Sequence, residues 1–96
     1  ADLTEFIIRY PESEYIDAAR ERLIFLRNLI ASSELDGAEY YMKRGAYLAA
    51  VNRANYVLKN IPNSTERERA LRILKEAYKQ LGYDEYAEKI SSFETN

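Results

Sequence analysis

Residue types able to do covalent or proton-transfer chemistry are scarce in this chain of 96 residues. It has no histidine and no cysteine, so the usual general base, the thiolate nucleophile and the soft metal ligands are missing. Carboxylates are plentiful, and two close pairs stand out, Glu66 with Glu68 and Asp84 with Glu85. Each pair opens a helical segment, where negative charge favours the unsatisfied N–H groups of the first turn. Neither comes with the apolar surroundings that raise a carboxyl pKa for acid–base work. The pairs therefore read as helix starts, and the chain as a non-enzyme with no cofactor and no metal. Asn63-Ser64-Thr65 has the form of a glycosylation acceptor, but reads more simply as a turn followed by a helix cap.

What the sequence does offer is recognition chemistry. Asn52-Arg53 followed by Asn55-Tyr56 puts a planar cationic fork beside amides and a phenol, a set suited to a partner's carboxylate. The competing reading is a solvated arginine paired within the chain, with Glu39 the expected partner. Lys43, Arg44 and the turn Gly82–Glu85, which carries Tyr83, are secondary candidates. Tyrosine next to arginine is common at interfaces. Tyr40, Tyr56 and Tyr83 fall off the apolar stripes and are expected at the surface. Tyr41, Tyr47 and Tyr78 fall on them and are expected to fill space between helices.

Composition narrows the partner class. Charged residues make up 31% and hydrophobic ones 47%, and the formal net charge is −2. With no basic surplus to neutralise phosphates, nucleic acid is not an expected partner. The longest apolar run, Leu23-Ile24-Phe25-Leu26, ends at Arg27 and is far too short to span a bilayer. The opening ADLTEFIIRYP lacks the basic region and cleavage site of a signal peptide. It starts in mid-pattern and without a cap, so a fragment lacking its upstream part is expected. Such an end would expose Leu3, Phe6 and Ile7 and favour homo-association.

The elements that must position these residues are all helical. Leu3, Phe6 and Ile7 keep a helical spacing that stops before Pro11, and Ser13 is placed to cap the next helix. From Tyr15, the positions Ala19, Leu23, Leu26 and Ile30 step by four, three and four, and the stripe runs on through Gly37 or Ala38 to Tyr41. That describes one helix of about 30 residues, or about 45 Å. Ser32, Ser33 and Gly37 weaken its middle, where a kink is possible. A second helix is predicted over 47–60 and a turn over Ile61-Pro62-Asn63-Ser64. A third helix, running to Leu81, has Thr65 and Glu68 in capping-box register and buries Ala70, Leu71, Leu74, Ala77 and Tyr78. A short fourth helix from Asp84 buries Tyr86, Ala87, Ile90 and Phe93, with a frayed tail. No strand pattern occurs, so the fold is all-α.

Self-comparison shows a repeat. Tyr41, Gly45 and Ala50 recur as Tyr78, Gly82 and Ala87, shifted by 37 positions. Leu3, Phe6 and Pro11 correspond to Ala54, Val57 and Pro62. Each unit is a helix, a glycine turn, a second helix and a proline turn. This resembles the tetratricopeptide repeat: Gly45, Tyr47, Ala50, Val57 and Pro62 match its turn glycine, its small and apolar second-helix positions and its closing proline. The resemblance implies a helix-hairpin solenoid of about 1.5–2.5 repeats with one unusually long helix. Residues 1–11 would be a second-helix remnant, 12–62 a repeat with an extended first helix, and 63–96 a C-terminal repeat. Alanine at 50 and 87 would let paired helices nearly touch while Tyr41 and Tyr78 fill the adjoining space.

The likeness then narrows. IIRYPESEYIDAARERLIFLRN, ELDGAEYYMKRGAYLAAVNRANYVLKNIPNS and ALRILKEAYKQLGYDEYAEKI together are similar to the C-terminal part of the BamD family, outer-membrane lipoproteins of the β-barrel assembly machinery. AEYYMKRGAY followed by VNR is the most specific piece. The resemblance implies a scaffold at the periplasmic face of the outer membrane, whose full-length form is lipid-anchored and belongs to a multi-subunit complex. The family's lipidated cysteine has no counterpart here. The resemblance also implies that the C-terminal repeats hold the membrane-proximal POTRA domain of BamA and that Arg53 belongs to that surface. The alternative within the repeat class is a peptide-binding co-chaperone module. Its carboxylate clamp requires lysine and asparagine on inward first-helix positions, where this chain is read to have Leu35 and Glu39.

Overall fold

The computed structural model describes residues 15–94 as four helices, with no strand among them. They are α1 (Tyr15–Lys43), α2 (Tyr47–Asn60), α3 (Arg67–Leu81) and α4 (Asp84–Glu94). Leu3, Phe6, Ile7, Pro11 and the expected cap Ser13 lie outside the described residues, as does most of the expected frayed tail.

Both first helices end the same way. Gly45 at φ 78° and Gly82 at φ 86° are the two positive-φ residues among those described. Ala46 N–H donates to the Tyr41 carbonyl at 2.9 Å, and Tyr83 N–H to the Tyr78 carbonyl at 2.8 Å. Gly45 and Gly82 each add a second bond, to Met42 and Lys79. This is the Schellman arrangement, and its left-handed residue penalises any Cβ. The shift of 37 seen in the sequence is therefore one turn geometry formed twice. The second turn type is also formed. Ser64 N–H donates to the Ile61 carbonyl at 3.2 Å across Pro62, ending α2.

The core lies where α2 packs against both neighbours. Ala31, Leu35 and Ala38 of α1 meet Ala50, Val51, Ala54 and Val57 of α2, and Ala70, Ile73, Leu74 and Ala77 of α3 complete the cluster. Small residues dominate it, so helix backbones lie close together. Ala50 is 0% exposed and Ala87 2%. Tyr41, Tyr47 and Tyr78 pack partly buried against the same cluster.

Four expectations change. α1 is one unbroken helix of 29 residues, with no break at Ser32, Ser33 or Gly37. Its buried stripe is set by Ala31, Leu35 and Ala38; Ile30, which the spacing put in the core, is 49% exposed. On α4, Tyr86 and Phe93 are 52% and 55% exposed; Ala87 is the residue buried there, and the Tyr86 ring only flanks that of Tyr78 on α3, at 5.4 Å between centroids. The Thr65–Glu68 capping box does not form: α3 has no side-chain N-cap bond. Instead the buried Ser64 Oγ accepts from Glu66 N–H at 3.2 Å, and Thr65 N–H donates to Asn28 Oδ1 at 3.1 Å.

One ionic cluster joins α1 to α3. Arg69 donates to Glu39 at 2.9 Å and to Asp36 at 2.6 Å, and Glu66 lies 3.7 Å away. The hydrogen bond from Arg69 holds the Glu39 carboxyl below the ordinary carboxylate range, and the two carboxylates raise Arg69 further above its ordinary value. A depressed carboxyl contributes stability above its unfolded pKa and loses it as pH falls through the folded value. Arg69 stays charged throughout. Urea denaturation at pH 7 and pH 3 is expected to show a steeper acid loss for the parent chain than for Arg69→Gln. The difference should stay below about 1 kcal/mol, since the carboxylates are largely solvated. Equal acid losses in the two chains would remove this contribution.

Candidate functional site

The groove between α1 and α2 gathers the residues most capable of recognition. It is an open concavity of about 400 Å³ lined by Glu34, Tyr41, Ala49, Asn52, Arg53 and Tyr56. The α1–α2 turn folds α2 back along α1, so residues of the second helix come to face Glu34, Gly37 and Tyr41 of the first. Asn52, Arg53 and Tyr56 share one side of α2 at helical spacing. Val51, Ala54 and Val57 face the core.

Arg53 is the centre of this groove. Its Nη1 lies 3.4 Å from Glu34 Oε2, and its guanidinium carbon lies 5.5 Å from the centroid of the Tyr41 ring. The arginine side chain remains 41% exposed and the glutamate 30%. At that distance and exposure the ion pair is weak and exchangeable. Gly37 lies directly beneath: a Cβ there would stand 3.0 Å from Arg53 Nη1. The competing reading of the sequence pairs Arg53 with Glu39. The structure pairs it with Glu34, because Glu39 is five residues further along α1, turned toward α3, and is taken by Arg69.

The other candidate residues lie elsewhere. Arg44 donates to the Tyr40 hydroxyl at 3.1 Å and lies over that ring, at the exposed end of α1 with Lys43. Tyr83 packs edge-on against Tyr86 at 5.8 Å, in the α3–α4 turn. Leu35 is 0% exposed, so it is a core residue and not the accessible clamp position assigned to it from the sequence, while Glu39 is half-exposed and paired with Arg69. For Leu35 the reason is that the buried stripe keeps the expected Ala19 and Ala38 but runs between them through Ala31 and Leu35, where the spacing put Ile30.

Two further surfaces escape a reading of the sequence. Ile24, Phe25 and Leu29 of α1 are each more than half exposed. A cleft of about 120 Å³ lies between Ile24, Arg27 and Asn28 and the turn Asn60–Ser64. The all-round apolar run Leu23–Leu26 was the available signal for the first. Nothing local marks the second, which depends on Asn28 reaching a turn 37 residues away. Among the described residues no cluster of side chains suits a metal ion, and no helix is long and apolar enough to cross a membrane.

Comparison with known proteins adds a family. Residues 1–93 match the family model described as YfiO, outer membrane lipoprotein. The chain is similar to the outer membrane protein assembly factor BamD of Vibrio cholerae, 36% identical over 89 residues, covering 93% of this chain and 37% of that protein. It is similar to the protein of the same name from Neisseria meningitidis serogroup A, 40% identical over 83 residues, with 86% and 31% covered. For the Neisseria gonorrhoeae protein the identity is 42% over 77 residues, with 80% and 29% covered. The chain thus spans about a third of the length of these curated relatives.

Proposed function

This chain belongs to the YfiO family of outer membrane lipoproteins, and from that premise we propose that it is a non-enzymatic docking module for outer-membrane protein assembly. It works at the periplasmic face of the outer membrane, as part of a longer lipid-anchored protein. Its residues 12–62 and 63–96 act as two stacked repeats, and their partner is the membrane-proximal POTRA domain of BamA. Other subunits of the assembly complex are further partners of the same scaffold.

The observation that carries this reading is the Arg53 groove. Arg53 is cationic, half-exposed and held only by a 3.4 Å pair with Glu34, with Asn52 and Tyr56 alongside. A partner carboxylate can take two parallel N–H donors from such a fork. Flanking tyrosine and asparagine supply apolar area and hydrogen bonds at low entropy cost. A peptide clamp of the co-chaperone type is less well supported, since Leu35 is in the core and Glu39 would repel a carboxylate.

Charge reversal tests the assignment. Arg53→Glu is expected to weaken binding of a BamA POTRA fragment by about 10-fold or more, measured by titration calorimetry at low salt. Far-UV circular dichroism should be unchanged, because the side chain is not part of the core. Unaltered affinity in that titration would remove Arg53 from the docking surface.

A further inference from the structure

Glycine in mid-helix normally costs stability, and Gly37 sits near the last third of α1 with no turn to serve. Its surroundings give a reason for it. A Cβ at 37 would meet Arg53 Nη1 at 3.0 Å, Cζ at 3.5 Å and Nε at 3.9 Å. The guanidinium therefore lies against the bare backbone of α1, with its Nη1 end closest. Tyr41, one turn later, offers its ring face 5.5 Å from the guanidinium carbon, and Glu34, one turn earlier, offers an oxygen at 3.4 Å. Positions 34, 37 and 41 step by three and four, so one helix face supplies a carboxylate, a gap and a ring in register. The arginine reaches across from α2 into a seat that α1 has shaped for it.

The seat contains a competitor. Glu34 is the partner of Arg53 within the chain, and it occupies only one edge of the fork, at the long end of hydrogen-bonding distance. Any carboxylate arriving in the groove must share or displace it. We infer that Gly37 and Glu34 are positioning residues for Arg53: Gly37 provides the space that fixes the direction of the guanidinium, and Glu34 is an exchangeable internal carboxylate that the partner's acidic side chain replaces. The inference rests on the docking reading above and names the chemistry of the partner at that point, an Asp or Glu side chain. It also sets a direction for each variant. Removing the charge of Glu34 frees the fork and tightens partner binding. A Cβ at Gly37 shifts the fork by a few tenths of an ångström and loosens binding, although alanine is the better helix former.

The test uses this chain and the BamA POTRA fragment, with Arg53→Ala as the reference. Glu34→Gln is expected to tighten binding about 2- to 5-fold at low salt, the range of one exchangeable surface ion pair. Gly37→Ala is expected to weaken it by a similar factor, about 2- to 5-fold, with a melting midpoint equal to or above the parent. In the Arg53→Ala background both effects should vanish. Loss of binding in Arg53→Ala with no response to either neighbour would overturn this inference and leave the docking reading standing. An Arg53→Ala variant that binds normally overturns the docking reading instead. The seat itself is then judged on the chain alone, from the Arg53 Nε–Hε cross-peak in a ¹⁵N correlation spectrum. That peak should move in both Glu34→Gln and Gly37→Ala while the Arg69 peak stays in place. A stationary Arg53 peak refutes the seat whatever the partner does.

Discussion

Replacing Leu35 by alanine is expected to destabilise the chain by about 2–5 kcal/mol, near the upper end of that range. Leu35 is 0% exposed and is one of the largest fully buried side chains among the described residues. The cost of such a change depends on how far the surroundings can collapse into the void. Here the core cluster includes Ala31, Ala38, Ala50, Ala54, Ala70 and Ala77. A methyl group has no rotamer with which to follow a retreating neighbour, so the space can close only by moving whole helices. The three-residue turn Arg44–Ala46 and the Arg69 ion pairs resist that movement. A domain of this size has a total stability of about 5–14 kcal/mol, so the variant would lose a large share of it. Urea denaturation followed by far-UV circular dichroism measures the difference directly. A loss under about 1 kcal/mol would mean that the α1–α2–α3 junction is loose, against the packing described here.

The parts of this fold that were legible in the sequence are those set by backbone conformation. Gly45 and Gly82 mark left-handed turns because a side chain is penalised at φ near 80°. Pro62 sits in the turn that ends α2 because it cannot extend a helix. Such requirements act within a few residues and leave a fixed spacing behind, which is why the boundaries of α2 and the end of α3 read correctly. The face of α1 was harder. Leu23, Ile24, Phe25, Leu26, Leu29 and Ile30 place apolar groups on every side of the helix, so several stripes fit the pattern equally well. Ala31 and Leu35 decide the matter only through their contact with α2 and α3.

The candidate site was legible by half. Arg53 with Asn52 and Tyr56 could be singled out because they lie within four residues on one helix. The partner of Arg53 could not, because Glu34 and Glu39 are both one crossing away, and Arg69, some 30 residues later, settles which of them is free. Gly37 shows the same limit. In sequence it reads as a weak point of a long helix. In three dimensions α1 continues unbroken through it, and the missing side chain leaves room for a residue on another helix.

A second large effect is expected from Ala50→Leu, which should destabilise the fold by about 1–3 kcal/mol through overpacking. Ala50 is 0% exposed where α2 crosses its neighbours, and the buried Ala38 and Ala54 belong to the same cluster. Three added carbons have no void to enter. Either the leucine adopts a strained rotamer, or α2 moves away from α1, and an interior packed to crystal-like density resists both. The same movement would reach the groove, because Arg53 is one turn beyond Ala50 on α2. Lifting α2 would raise the guanidinium off Gly37 and away from Tyr41. Reduced stability should therefore come with weaker binding of the POTRA fragment, even at a temperature where the variant remains folded. Ala18→Leu, on the exposed side of α1, is the control and should stay within about 0.5 kcal/mol of the parent. Thermal and urea melts of the two variants separate added bulk from added bulk at a crossing. If Ala50→Leu melted with the parent chain, the close approach of α1 and α2, which gives Arg53 its seat, would have to be given up.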